Sequence, residues 1–183
     1  MDVQALEPWE AYPSIWKSKA AFFAYLRGSL RRIWARYPAK LKWKTAQLQA
    51  PPPGYPGRAK KVGKCYYCGT LFAASSLEVD HVAQAGACND WGSAQEFLHN
   101  LLDCNGNWVL ACKPCHKIKS YAERTGVPFE EAIIEKKVIE WLKKGKQEVV
   151  DLCKKYGYSD DSLSNESKRR EALTAIFKEH GVG

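Results

Sequence analysis

The chain has 183 residues, 45% of them hydrophobic, with a formal charge of +8 and seven cysteines. That length suits one domain, or a small domain with appendages; no run approaches the roughly 20 apolar residues of a membrane span, and the first residues lack the basic and apolar regions of a secretory signal. An odd cysteine count, with four cysteines in metal-type spacing, argues against a disulfide framework, so a cytoplasmic, non-secreted protein without a membrane partner is expected.

The charge is unevenly distributed. Residues 1–64 carry thirteen Lys/Arg against three acids, residues 65–125 four against six, and residues 126–183 eleven against eleven. A basic front end attracts polyanions by releasing their condensed counterions. Aromatic residues interleaved with those charges add stacking surfaces, which points to nucleic acid. The mildly acidic centre suits divalent cations instead.

In chain order, Ser18 to Arg36 predicts an amphipathic helix: Phe22, Phe23, Leu26, Leu30, Ile33 and Trp34 recur at helical spacing, and Ser18 is the candidate N-cap. Arg27, Arg31, Arg32 and Arg36 lie off that stripe, and Tyr37-Pro38 ends it because proline disfavours helical geometry in the residue before it. Lys40–Gln49 is a candidate for a further short helix. Pro51–Gly57 is a stiff, non-helical linker, followed by Arg58, Lys60, Lys61 and Lys64. These features define a basic aromatic helical region over 1–50 and a Pro/Gly/Lys-rich linker over 51–64.

The central module, 65–125, opens with a zinc-knuckle turn at Cys65–Gly69, continues with a strand at Leu77–Val82, and has a second strand at Trp108–Ala111. Between them Ser93-Ala-Gln-Glu96 reads as a capping box that starts a helix through about Leu102. Pro114 suits the first turn of a helix running to about Arg124, before Gly126. The remaining region, 126–183, predicts helices at Phe129–Lys144, roughly Gln147–Tyr156 and Ser164–His180.

Cys65, Cys68, Cys112 and Cys115 form two Cys-x-x-Cys pairs. Zinc takes four soft ligands in a tetrahedron, and each pair brings two sulfurs to it from one tight turn, so this set is expected to hold a structural Zn²⁺. Cys88, Cys104 and Cys153 read as small buried hydrophobes. Asp80 and His81 fall between the pairs, and His116 directly follows the second. A carboxylate oxygen and an imidazole nitrogen would supply two ligands to Mg²⁺ or Mn²⁺, leaving one imidazole as a base. Adjacent strand residues point to opposite faces, so Asp80 and His81 need a kink or bulge to act on one site.

The order Cys-x-x-Cys, Val-Asp-His, Asn, Cys-x-x-Cys-His-x-x-Lys over residues 65–125 resembles the zinc-containing HNH nucleases, whose catalytic module is the ββα-metal finger. More loosely, the Trp16–Pro38 stretch looks like the front end of phage-encoded HNH proteins. The resemblance implies an α+β, mostly helical fold, with a small zinc-stabilised ββα-metal finger flanked by N-terminal and C-terminal helices. It implies a phage-encoded, metal-dependent DNA endonuclease, homing-type enzymes included, working in the host cytoplasm, with DNA as partner and no small-molecule substrate. By position, His81 matches the general base, Asp80 and His116 the ligands of the catalytic metal, and Asn107 the asparagine bracing the loop of the base, with Asn105 as the alternative. Lys119 matches a lysine that contacts phosphate. Arg27, Arg31, Arg32, Arg36, Lys60, Lys61 and Lys64 are the candidate phosphate contacts of the flank. The rival expectations are a zinc-stabilised DNA-binding protein that does not cleave, and an RNA-directed nuclease or binding protein.

Overall fold

Ser18 opens the long N-terminal helix as its spacing predicts: the hydroxyl accepts a hydrogen bond from the Ala21 N–H at 3.2 Å, satisfying one of the four unpaired amides of a helix start. In the computed structural model, which describes residues 6–103 and 106–181, the helices of the first part are α1 (Pro8–Ala11), α2 (Lys19–Ala35) and α3 (Pro38–Ala46). Pro38 therefore does two things: it stops α2 and occupies the first turn of α3, where a missing N–H costs nothing. The chain divides into two compact units, Met1–Lys113 and Pro114–Gly183.

The first unit also holds β1 (Val62–Lys64), β2 (Leu71–Ala73), β3 (Leu77–His81), α4 (Trp91–Leu102) and β4 (Trp108–Cys112). The strands make two separate antiparallel pairs, β1 with β2 and β3 with β4. Residues 62–64, expected to end a linker, form a strand instead, and Val62 exchanges backbone hydrogen bonds with Gln49 at 2.9 Å each way. The proline-rich segment is thus a loop closed at its base. Three residues are too few for alternation to register in a sequence, and burial drives the pairing: Val62 is fully buried, and Gly63 passes so close to its neighbours that a Cβ there would lie 2.7 Å from a Leu110 methyl.

The helix between β3 and β4 starts earlier than the sequence predicts. Its N-cap is Asp90, whose Oδ1 accepts from the Ser93 N–H at 2.8 Å, while Ser93 Oγ accepts from the Asp90 N–H at 3.1 Å. Ser93 is the third residue of the helix, not its cap. A carboxylate accepts more strongly than a hydroxyl, and these bonds from Ser93 hold the Asp90 carboxyl below its usual range. The extra turn places Trp91 against Phe22 and Phe23, with ring centroids 5.6 and 5.3 Å away. Phe23, Cys88, Ala94, Phe97 and Leu101 then form the buried core between α2 and α4, flanked by Trp9, Phe22, Leu26, Leu30 and Trp34. Each fully buried phenylalanine contributes about 1.5–3 kcal/mol relative to exposure.

The second unit is helical: α5 (Lys113–Thr125, beginning one residue before the division), α6 (Phe129–Leu142), α7 (Lys146–Lys155) and α8 (Glu166–His180). Val138, Val149, Val150, Cys153, Leu163, Leu173, Ile176 and Phe177 make its core. Burial raises the thiols of Cys88 and Cys153, as the small-hydrophobe reading requires; Cys104 and Asn105 lie outside the described residues. The fold is α+β and mostly helical, with two small antiparallel sheets and a four-cysteine cluster beside the strands. Among the described residues no helix is long and apolar enough to cross a membrane.

Candidate metal and catalytic site

The knuckle is built by Gly69. Its φ of +70° is a left-handed conformation that L side chains rarely adopt, and its N–H bonds to the Cys65 carbonyl at 2.9 Å, folding Cys65–Cys68 into a tight turn. The Cys65 N–H bonds to Thr70, and the Tyr66 N–H to Leu110 of β4 at 2.8 Å, which fastens the turn to the strand leading to Cys112. As a result the sulfurs of Cys65, Cys68, Cys112 and Cys115 all lie within 4.8 Å of one another. A tetrahedral zinc about 2.3 Å from each sulfur would space them about 3.8 Å apart, so the cluster fits the ion after shifts of about 1 Å.

Electrostatics favour the same ion. Burial raises the Cys65 thiol, but the N–H groups of Cys112, Cys68 and Tyr67, together with the Cys68 thiol, outweigh it and bring it down to about 7. The Cys112 N–H lies 3.3 Å from Cys65 Sγ. Amides aimed at a thiolate are what a metal-binding sulfur needs. Four protein ligands leave no open position, so a zinc here would be structural.

Asp80 and His81 end β3, and both are buried, at 6% and 8% exposure. The register with β4 runs unbroken from Leu77–Cys112 to His81–Trp108, so no bulge turns the two side chains to one face. The kink or bulge that a shared face would require is absent, since every pair in this ladder is made. The Asp80 carboxylate instead leans toward the next peptide: Oδ1 accepts from the His81 N–H at 2.9 Å, and Oδ2 accepts from the Tyr67 hydroxyl at 2.7 Å. His81 turns toward α2 and α4. Its Nε2 donates to the Leu101 carbonyl at 2.9 Å, and its ring packs against Trp34 with centroids 4.5 Å apart and planes tilted by 40°. A carbonyl can only accept, so in the neutral ring Nε2 carries the proton and the basic lone pair is on Nδ1.

Asn107 acts on the residues just after His81. Its Oδ1 accepts from the Ala83 N–H at 2.7 Å, its Nδ2 donates to the Ala83 carbonyl at 3.1 Å, and its own carbonyl accepts from the Val82 N–H at 2.8 Å. His116 sits half-buried in the first turn of α5, next to Cys115. Lys119 is buried at 8% exposure and ion-paired with Glu123 one helical turn on, at 2.5 Å. Arg27, Arg31, Arg32, Arg36, Lys60, Lys61 and Lys64 are all exposed.

Sequence reasoning missed Tyr67, Trp34 and the Leu101 carbonyl. Tyr67 carries a signal of sorts, being inside the Cys65–Cys68 turn. Trp34 reads as one more residue of an apolar stripe, and nothing in a sequence reports a carbonyl at a helix end. Comparison with family models, curated proteins and solved structures returned no match to the chain.

Proposed function

We propose that this chain is a metal-dependent DNA endonuclease of the HNH type, hydrolysing phosphodiester bonds with His81 as general base. The observation that carries the reading is the clamp on the end of β3. Tyr67 and the His81 amide fix the Asp80 carboxylate, and Asn107 fixes the residues that follow the histidine. The chain succession β3, β4, α5, with one cysteine pair before it and the other at the β4–α5 junction, is the order of a ββα-metal finger.

In this reading Asp80 and His116 hold the catalytic cation on one side of the phosphate and His81 acts from the opposite side, so the two β3 side chains need not share a face. A carboxylate oxygen with an imidazole nitrogen is a donor set suited to Mg²⁺ or Mn²⁺. When bound, that ion supplies charge neutralisation at the phosphate. His81 takes the proton of the attacking water on the nitrogen opposite its Leu101 bond, with Trp34 holding the ring plane. Asn107 holds the loop so that the base keeps its orientation. The exposed arginines of α2 and the lysines at 60, 61 and 64 give affinity through the backbone phosphates, without sequence information. The products are 5′-phosphate and 3′-hydroxyl ends, and the enzyme is phage-encoded.

The burial of His81 favours a second reading, a zinc-stabilised DNA-binding protein that does not cleave. Plasmid nicking in Mg²⁺ or Mn²⁺ decides between them. The nuclease reading expects relaxed or linear plasmid from the wild type and none from His81→Ala. No product in either metal leaves the binding protein, and wild-type rates from His81→Ala remove His81 as base. Competition between duplex DNA and structured RNA at fixed salt tests the choice of DNA.

A further inference from the structure

On the first unit a pocket of about 430 Å³ is lined by Trp43 of α3, Gln47 at its C-cap, Lys64 of β1, Cys65 and Tyr66 of the knuckle, and Trp108 with its two successors on β4. Cys65 belongs to the four-cysteine cluster and Lys64 is one of the phosphate contacts of the proposed nuclease; the other side chains have no part in the proposed hydrolysis. The volume lies in the usual range of small-ligand sites, and the lining is unusual for a surface depression: three aromatic rings, one amide and one ammonium. Trp43 and Trp108 meet edge to face, at 85° with centroids 6.0 Å apart, so they present surfaces at right angles instead of closing on each other. Tyr66 is 62% exposed, on a turn whose backbone is pinned to Leu110. Trp108 is itself 4% exposed, and its indole nitrogen is buried without a hydrogen-bond partner. That nitrogen is closed off from the pocket, so Trp108 backs the wall while Trp43 and Tyr66 supply the open ring surfaces.

The geometry points to an unpaired nucleobase of a DNA strand as the occupant, lying against the aromatic wall with Gln47 at its hydrogen-bonding edge and Lys64 at the adjoining phosphate. Charge complementarity selects this ligand over a neutral ring: thirteen Lys/Arg and three acids occupy residues 1–64, which supply three of the lining side chains. Stacking on tryptophan and tyrosine needs a base out of the duplex stack and is tolerant of its identity, and an amide can then pair with the Watson–Crick edge that only an unpaired base exposes. The inference rests on the nuclease reading for its substrate, and it specifies that substrate as DNA carrying an unpaired nucleotide.

The test uses the full-length protein with no Mg²⁺ or Mn²⁺ added, and three matched fluorescent DNA hairpins: one with a single unpaired thymidine, one abasic at that position, and one fully paired. Anisotropy titration is expected to show the unpaired base bound on the order of tenfold tighter than the abasic site. Tyr66→Ala and Gln47→Ala, both at exposed positions, are expected to reduce that preference while leaving affinity for the paired hairpin unchanged. Equal binding of the unpaired and abasic hairpins overturns the proposal, as does a preference that survives both substitutions. An RNA hairpin of the same sequence that binds more tightly overturns the choice of DNA. A protein that shows the preference yet leaves plasmid intact in Mn²⁺ keeps the pocket and loses the nuclease; cleavage without the preference does the reverse.

Discussion

Tyr67→Phe removes one oxygen atom and isolates the link between the zinc knuckle and the β3 carboxylate. The Tyr67 hydroxyl donates to Asp80 Oδ2 at 2.7 Å, and Asp80 is 6% exposed, so water cannot easily take the donor's place. A hydrogen bond to a charged group contributes about 1.5–3 kcal/mol, and burial puts the expected loss near 2 kcal/mol, which urea denaturation resolves. For a residue that fixes a metal ligand, the corresponding fall in metal affinity is about 10–100-fold. The assay is plasmid cleavage as a function of Mn²⁺, comparing wild type with Tyr67→Phe at equal zinc content. Half-maximal Mn²⁺ is expected to rise by at least about tenfold, with cleavage restored at saturating metal. An unchanged Mn²⁺ requirement alongside the stability loss would show that the bond only supports the fold, and would refute Tyr67 as a positioning residue.

The remaining predictions concern the parts around that bond. Purified protein should contain one zinc per chain by elemental analysis, and Cys68→Ser, at the exposed corner of the cluster, should lower that content and destabilise the first unit. Gly63→Ala should cost about 1–3 kcal/mol in urea, because the new methyl meets side-chain carbons of Leu110 and Leu77 at 2.7 and 2.9 Å; a neutral substitution would show that the two leucines shift freely. Replacing Arg31, Arg32 and Arg36 together by alanine should reduce the slope of log affinity against log salt by about 2–3, one unit for each phosphate no longer neutralised. An unchanged slope would place the DNA elsewhere on the molecule.

What was legible in the sequence is local chemistry. The Cys-x-x-Cys spacing marks a metal cluster because two sulfurs from one turn must meet one ion, and the four sulfurs do come together. Ser18 and the apolar stripe after it define α2, and the tail helices fall within two residues of their expected bounds. The misses follow from competition or distance. At α4 two residues compete as cap, and Asp90 prevails because a carboxylate accepts more strongly than the hydroxyl of Ser93. The β1–β2 pair is too short for a period of two to appear. The Lys119–Glu123 pair is local, one helical turn apart, but the burial of Lys119 depends on packing that spacing does not report. Most of the site lies in contacts between residues far apart in the chain: Tyr67 on Asp80, Trp34 on His81, and the Leu101 carbonyl that sets the imidazole tautomer. A one-dimensional pattern identifies the residue types and leaves those pairings undetermined.

Whether a braced Asp80 and His81 cut DNA with the help of a divalent metal is decided by sequencing the ends produced on genomic DNA in Mn²⁺. Wild-type protein should create new ends bearing 5′-phosphate and 3′-hydroxyl groups, and His81→Ala should abolish them. An end profile identical to the untreated DNA, or one unchanged by His81→Ala, would contradict the proposed hydrolysis.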